Sequence, residues 1–147
     1  MTGPEMDGPD AEGFDGFTFG GDGHNASYGR IRARAEGDGV ARVRFEAGRR
    51  AENVNGAIHG GFMLSCLDQA IFVGPVAAGR LEAPGRAVTL GISTQFVAPG
   101  RPQLPLDCMV EIVSETGKLM FVRGQLEQEG RTVLTYQATL RKIRPAA

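Results

Sequence analysis

One stretch of the chain, from about Gly61 to Ala78, is apolar on every side of a helical wheel. Its apolar side chains include Phe62, Met63, Leu64, Leu67, Ala70, Ile71 and Val73. A helix that is apolar all round has to be buried, because an exposed helix keeps one polar face. The helix should end near Gly74-Pro75 or by Gly79, since proline and glycine interrupt helices. The sequence therefore predicts one central helix that the rest of the chain must cover.

Six stretches in which apolar and polar residues alternate flank this segment and predict strands. One begins at Tyr28, and a turn at residues 36–39 joins it to a second stretch over 40–46. Four more follow the helix, over residues 86–97, 106–115, 118–128 and 132–143. The short Gly-containing connectors between the last three of them indicate antiparallel hairpins. The order β-β-α-β-β-β-β predicts an α+β fold, with an antiparallel β-sheet wrapped around one long central apolar helix.

Length and composition predict a single globular domain that follows an N-terminal arm. The chain has 147 residues, of which 41% are hydrophobic and 22% charged, and this is enough to form one core. Residues 1–25 are rich in Gly, Asp and Pro, so we expect a flexible arm or a segment ordered only against a partner chain. The domain would then span residues 26–147. Three aromatic residues of the arm, Phe14, Phe17 and Phe19, could dock it, and the arm could cover a pocket.

Charge and cysteine usage narrow the function classes. A net charge of -1 argues against nucleic acid or an anionic membrane surface as a partner. The arginines that alternate with apolar residues between 30 and 44 predict a solvent-facing side of a sheet, with a local anion site as the alternative. Cys66 and Cys108 lie in apolar surroundings and are predicted to be reduced packing residues, which favours the cytoplasm. His24 and His59 have no ligand spacing, so no metal is expected, and no cofactor is predicted.

Groups that could carry chemistry meet where a glycine turn enters the helix. Gly60 and Gly61 leave the first helical amides unshielded, so the turn could polarise a carbonyl oxygen, although a simple tight turn is the alternative. Asp68 follows two turns later among apolar residues, without a cation at helical spacing. Burial there would raise the pKa of its carboxyl group and let it take a proton from water. Alternatively, Asp68 forms a thin polar stripe with Ser65 and Gln69.

Other reactive side chains are weaker candidates. His59 could act as a base, but a lone histidine beside a glycine turn more often hydrogen-bonds the loop that carries it. Cys66 has neither a base nor an activating charge among its neighbours in the helix. Ser65 lacks the G-x-S-x-G elbow of serine hydrolases. The acid and the glycine turn therefore remain the main candidates.

The stretch NVNGAIHGG (residues 53–61), followed by Asp68, closely resembles the active-site segment of hotdog-fold acyl-CoA thioesterases. The nearest branch is the PaaI-like, phenylacetate-degradation type within the 4HBT superfamily. The stretch AVTLGISTQFVAP (residues 87–99) is similar to the strand that follows the helix in this family. The resemblance covers about residues 28–143 and implies a hotdog fold, in agreement with the element order. The stretch PGRPQLPLD (residues 99–107) departs from the family pattern.

The resemblance implies a role for each matching position. The backbone amide of Gly60 would polarise the thioester carbonyl with help from the side-chain amide of Asn53, while His59 would support the turn. Asp68 would act as nucleophile or as the base that activates water, and Thr89 would hold that water. The loop and the acid would come from opposite subunits of a homodimer with shared active sites, and such dimers commonly pair into a homotetramer.

The implied function is hydrolysis of an acyl-CoA thioester to free CoA and a carboxylic acid. Gly61, Ser65 and Phe72 are expected to contact the substrate. Lys118 and Arg123 are candidates for binding the CoA phosphates, although a surface role is more expected for both. The alternative is a noncatalytic acyl-CoA binding or sensing protein on the same fold, which would not need Asp68.

Overall fold

The computed structural model describes residues 3–145, so the outermost residues of the predicted arm and domain, 1–2 and 146–147, lie outside the described residues. Within that range, eight strands form one antiparallel sheet around a single α-helix. The strands are β1 (Glu5–Asp7), β2 (Asp15–Thr18), β3 (Arg30–Gly37), β4 (Val40–Phe45), β5 (Ala87–Phe96), β6 (Leu106–Glu115), β7 (Leu119–Gln128) and β8 (Arg131–Lys142), and the helix is α1 (Gly60–Ala77). Their order in the sheet is β1-β2-β3-β4-β6-β7-β8-β5. The predicted α+β class and the wrapped sheet are confirmed.

The central helix ends at the second of the two predicted stop points. Pro75 lies in the last turn of α1, where the missing N–H removes only one backbone hydrogen bond. Gly79 follows with a φ of 72°, and its amide donates to the Val76 carbonyl at 3.0 Å. This left-handed glycine satisfies a carbonyl of the last turn, so the helix ends there.

The helix approaches the sheet closely on one side. A Cβ atom at Gly74 would lie 2.8 Å from Cγ2 of Val110 on β6, so only glycine fits at this contact. The helix α1 has 18 residues and a mean hydropathy of 1.3, so by length and composition alone it could cross a membrane. However, 50% of it is buried inside its own fold, as in the core helix of a globular domain.

The prediction that α1 is buried on all sides is wrong for the single chain. Gly61, Leu64 and Asp68 are exposed, and their spacing of three and four residues places them on one face of the helix. The sheet covers only the opposite side, where residues such as Leu67 and Ile71 are fully buried. One face of an apolar helix is therefore left uncovered by its own chain.

The prediction of an arm that is flexible or ordered only by a partner is wrong for the described residues. β1 and β2 form a hairpin that extends the sheet along β3 of the same chain. Phe17 belongs to the core on the helix side, whereas Phe14, with 0% exposure, lies on the outer face. Two aromatic anchors on opposite faces of the sheet thus hold the hairpin, and the expected boundary near residue 25 falls inside one continuous sheet.

The outer face of β3 and β4 carries the alternating arginines, which face solvent as predicted and are ion-paired. The guanidinium groups of Arg32, Arg34 and Arg44 lie 5.5, 4.3 and 4.8 Å from the ring centroid of Phe14. Asp107 of β6 accepts hydrogen bonds from Arg44 at 2.7 Å and from Arg42 at 2.8 Å. Because acids of the same chain already pair these cations, they do not form a free anion site.

Candidate active site

The acid predicted from the sequence has a hydroxyl partner on the neighbouring strand. Thr89 Oγ1, on β5, donates a hydrogen bond to Asp68 Oδ1, on α1, at 2.8 Å. The bond orients one carboxylate oxygen and leaves the other free to act. Asp68 is exposed on the single chain, so the burial predicted for it is not supplied by its own subunit.

The loop before the helix uses the oxygen of Asn53 internally. Asn53 Oδ1 accepts hydrogen bonds from the amides of Asn55 at 2.8 Å and Ala57 at 3.1 Å. Gly56 closes the turn with a φ of 76°, and its amide donates to the Asn53 carbonyl at 3.1 Å. Since the oxygen is occupied, the Asn53 group left for a ligand is its NH₂, a donor.

His59 caps the helix, as the sequence suggested for a histidine beside a glycine turn. Its Nδ1 atom accepts a hydrogen bond from the amide of Gly61 at 2.9 Å. Nδ1 must then be unprotonated, so a neutral ring carries its proton on Nε2. The Gly61 amide is consequently used inside the protein, and it is the Gly60 amide that remains available as a donor. No hydrogen bond among residues 3–145 uses it.

Phe96, at the end of β5, lies beside the Gly60 amide and was not predicted from the sequence. A Cβ atom at Gly60 would lie 3.2 Å from two carbon atoms of the Phe96 ring, which is itself 46% exposed. The absence of a side chain at Gly60 lets the ring approach the backbone. The available donor therefore has an apolar wall on one side.

The donor loop and the acid of one chain are too far apart to act on one carbonyl group. Gly60 and Asp68 lie eight positions apart on the same helix, which is a rise of about 12 Å. A base or nucleophile has to come within about 3 Å of the atom that it acts on. One chain therefore contains both halves of the predicted site without bringing them together.

A cavity of about 800 Å³ lies next to the acid. Asp68 and Phe72 of α1 form one side of it, and Phe19 and His24 of the N-terminal segment form another. The structure thus brings Phe72, one of the predicted substrate contacts, to the same cavity as Asp68. It also adds Phe19, which the sequence placed on an arm that could cover a pocket, and His24, which the sequence did not identify as part of the site.

Ser65, another predicted substrate contact, is hydrogen-bonded to the N-terminal segment. Its Oγ atom lies 2.8 Å from His24 Nε2 and also contacts the hydroxyl of Tyr28. The Tyr28 hydroxyl donates to the Ser65 carbonyl at 2.9 Å. Burial raises the pKa of Tyr28, so this hydroxyl keeps its proton and remains a donor. Sequence separations of 41 and 37 residues hid these contacts from local patterns.

The two candidate phosphate-binding residues lie elsewhere. The Arg123 guanidinium pairs with Glu111 at 2.9 Å, and Lys118 follows β6 in the turn before β7. Neither residue lines the cavity beside Asp68. The structure therefore does not bring them to the acid.

Cysteine and metal chemistry are not indicated within the described part of the chain. Cys66 and Cys108 are buried free thiols. Burial raises the pKa of Cys66 to about 12, so it is not a thiolate nucleophile at neutral pH. Residues 3–145 contain no group of three His, Cys, Asp or Glu side chains placed to hold a metal ion.

Solved structures of thioesterases share this fold at low sequence identity. Zebra fish thioesterase superfamily member 2 aligns with a TM-score of 0.68 at 14% identity, over 83% of this chain and 88% of that one. The PaaI protein from the phenylacetic acid degradation operon of E. coli aligns with a TM-score of 0.64 at 18% identity, over 76% of this chain and 82% of that one. A hypothetical thioesterase from Streptococcus pneumoniae, solved with coenzyme A, aligns with a TM-score of 0.64 at 20% identity, over 78% of this chain and 91% of that one.

No curated protein matches the sequence. A family match is nevertheless clear: residues 49–141 match the family described as the acyl-CoA thioesterase N-terminal domain. This range is more than half of the chain and contains the loop, the helix and the strand that carry Asn53, Gly60, Asp68 and Thr89. The chain therefore belongs to the acyl-CoA thioesterase family, and it is a thioester hydrolase with a hotdog fold.

Proposed function

We propose that this chain hydrolyses acyl-CoA thioesters to free coenzyme A and a carboxylic acid. The observation that carries the proposal is the hydrogen bond from Thr89 to Asp68 at the wall of a cavity large enough for a small molecule. The family match supports the reaction type. The Streptococcus pneumoniae relative, which was solved with coenzyme A, supports the thiol half of the substrate.

In this mechanism the thioester carbonyl oxygen accepts hydrogen bonds from the Gly60 amide and from the NH₂ of Asn53. Both donors are preorganised, because the helix start and the internally bonded loop fix them before substrate binds. They stabilise the negative charge that develops on oxygen when the carbonyl carbon is attacked. Such donors contribute most in the tetrahedral transition state, where the oxygen is most negative.

Asp68 supplies the attack by one of two routes. As a base it takes a proton from water, the resulting hydroxide adds to the carbonyl carbon, and the coenzyme leaves as a thiolate. As a nucleophile its carboxylate adds directly, the thiolate leaves, and water then hydrolyses the mixed anhydride. A single turnover in heavy-oxygen water tests the anhydride route. Label in the Asp68 side chain indicates an anhydride that water cleaves at the Asp68 carboxyl carbon, whereas label only in the released acid is expected both for the base and for an anhydride cleaved at the acyl carbon.

The site is completed by a second copy of the chain. The rise of about 12 Å between Gly60 and Asp68 requires the acid at one carbonyl to come from the other subunit. The uncovered helix face and β5, which pairs only with β8 among the described strands, offer surfaces for this contact. We therefore propose a homodimer with shared sites, which pairs into a homotetramer. Its buried free thiols suit the cytoplasm.

A thiol-release assay over a panel of acyl-CoAs tests this function. Asp68→Asn keeps the shape of the side chain and removes its basicity, so we expect kcat to fall by about a thousandfold or more. Asp38→Asn is the matched control, because Asp38 is 94% exposed and pairs with Arg80 instead of lining the cavity. Its activity should equal that of the wild type.

Two outcomes would contradict the proposal. Wild-type activity in Asp68→Asn would remove the acid from the mechanism. Tight acyl-CoA binding by the wild type without any turnover would assign the protein to the alternative function, an acyl-CoA sensor.

A further inference from the structure

The cavity beside Asp68 has a wall that comes from the N-terminal segment. Phe19 and Ala26 lie on that wall, while Phe72 of α1 and Pro84 and Ala87 before and within β5 line other parts of the cavity. Both phenylalanines are partly buried and pack against the hydrophobic core, which limits their movement. The volume of about 800 Å³ lies within the range of small-molecule sites. Most of the side chains that line the cavity are uncharged, and Asp68 and Arg86 are the charged ones.

A set of hydrogen bonds fastens this wall to the catalytic helix. His24 Nε2 lies 2.8 Å from Ser65 Oγ and 3.2 Å from the Tyr28 hydroxyl, which itself donates to the Ser65 carbonyl. Ser65 precedes Asp68 by three positions, so the fastening point lies one helical turn from the acid. The position of the wall relative to the acid is therefore fixed by side chains other than the proposed acid and the proposed carbonyl donors.

Resting on the proposed function, we propose that the acyl group of the substrate lies in this cavity and that Phe19 determines its length. The occupant is an apolar acyl chain of medium length or an aryl acyl group, which places its carbonyl carbon near Asp68 and its apolar end against the two phenylalanine rings. The contact between His24 and Ser65 keeps the wall closed. This is a specificity role, because Phe19 acts on the unreactive end of the substrate.

The competing occupant is part of the coenzyme. Arg86 also lines the cavity, and a guanidinium group binds phosphate well. The two occupants differ in a measurable way, because the coenzyme is common to all acyl-CoA substrates. If the coenzyme fills the cavity, a change at Phe19 alters the KM of every acyl-CoA by the same factor. If the acyl group fills it, the effect depends on the acyl chain.

The test compares kcat/KM for butanoyl-, octanoyl- and hexadecanoyl-CoA. Phe19→Ala enlarges the cavity, and we expect the ratio of hexadecanoyl- to octanoyl-CoA to rise by about tenfold. Ala26→Phe fills the same cavity and should shift the preference in the opposite direction, toward butanoyl-CoA. Phe121→Ala is the matched control, because Phe121 lies away from this cavity and is 37% exposed. Its ratios should equal those of the wild type.

The fastening role of His24 has its own readout. His24→Ala and Ser65→Ala should each speed amide hydrogen exchange in residues 19–26 and weaken the discrimination between chain lengths, and the double variant should add little to either. Unchanged exchange and unchanged ratios in both variants would overturn this role. Equal changes in KM across all three substrates in Phe19→Ala, or no change in their ratios, would overturn the acyl assignment.

A binding measurement separates this inference from the proposed reaction. Calorimetric titration of Asp68→Asn with the same acyl-CoAs reports affinity without turnover. Chain-length-dependent binding that changes with Phe19→Ala, together with an inactive wild type, would support the acyl cavity and contradict hydrolysis. Turnover by the wild type with no chain-length dependence on Phe19 would support hydrolysis and contradict the acyl cavity.

Discussion

Asp68 illustrates how one carboxylate gains a defined geometry from a single neighbour. Thr89 can donate only one proton, and in the structure this proton goes to Asp68 Oδ1. The bond fixes the carboxylate on the exposed face of α1, where a mobile side chain would sample several rotamers. In the proposed mechanism, Thr89 is thus a positioning residue as well as the expected holder of water.

Thr89→Val removes the hydroxyl group and keeps the branched shape, whereas Thr89→Ser keeps the hydroxyl group. We expect kcat to fall by about tenfold or more in the valine variant, because the lost hydrogen bond leaves the acid and its water misplaced. The serine variant should retain most of the activity. Steady-state kinetics on both variants measures this, with thermal unfolding as the control for folding. Equal activity of the Thr89→Val variant and the wild type would show that the hydrogen bond to Asp68 has no role in the reaction.

At the level of elements, the sheet is held at its N-terminal edge by charges as well as by apolar contacts. The β1-β2 hairpin brings Phe14 under three guanidinium groups, and the same arginine rows extend to Asp107 on β6. Burial alone would raise the pKa of Asp107, but the hydrogen bonds from Arg44 and Arg42 outweigh it and hold the pKa below the usual value. The hairpin, β4 and β6 are therefore coupled through one ionic network.

Asp107→Asn should lower the free energy of unfolding at neutral pH by about 2 kcal/mol, because it leaves two arginines of the network without their shared acid. Since the folded pKa is lowered, the contribution of Asp107 is present above the unfolded value of about 3.9 and is lost as the pH falls below it. The difference between wild type and variant should therefore shrink between about pH 4 and pH 2. Urea unfolding at several pH values measures it.

Glu111→Gln is the control for this prediction. The substitution breaks the ion pair between Arg123 and Glu111, whose side chains are 60% and 45% exposed. The free energy of unfolding should therefore stay unchanged. A loss in Glu111→Gln as large as in Asp107→Asn would indicate a general charge effect in place of the buried network.

For the whole molecule, the proposed shared sites predict that two inactive variants restore each other's activity. Asn53→Asp keeps the oxygen that Asn55 and Ala57 need and replaces the free donor with an acceptor, so it should inactivate the loop alone. Asp68→Asn inactivates the acid alone. In a dimer of one chain of each kind, one site combines the intact loop with the intact acid, and the other site has neither.

Refolding an equal mixture of the two variants should therefore recover about a quarter of the wild-type activity, since half of the randomly formed dimers are mixed and each has one working site. Each variant refolded alone is the control and should stay inactive. No recovery in the mixture, with mixed dimers detected by mass spectrometry, would place both halves of the site in one chain.

The sequence predicted the helix and six strands because periods of two and of three to four residues are local properties. It did not predict the β1-β2 hairpin, since the composition around Phe14 and Phe17 is that of a flexible segment and their contacts are with distant strands. The loop and the acid are predicted from their motif, and Thr89 from the strand that follows. The structure places Thr89 beside Asp68, and their roles in catalysis stay predictions. His24 and Phe96 could not be predicted as residues of the site, because only tertiary contacts bring them there. The exposure of Asp68 on the single chain could not be predicted either. An apolar helix pattern is the same whether the chain's own sheet or a partner subunit covers the helix.

The internal use of acceptors in the loop before α1 has a consequence for product release. Asn53 Oδ1 and His59 Nδ1 both accept hydrogen bonds within the protein. The groups left for a ligand are therefore N–H donors, on Asn53, His59 and Gly60. A carboxylate accepts such bonds more strongly than a neutral carbonyl, so in the proposed mechanism the acid formed by hydrolysis competes with fresh substrate for the same donors. In the proposed dimer, the second subunit brings its own acid to these donors, and its negative charge would repel the carboxylate product. The group proposed to start the reaction would thereby also help to clear the site for the next turnover.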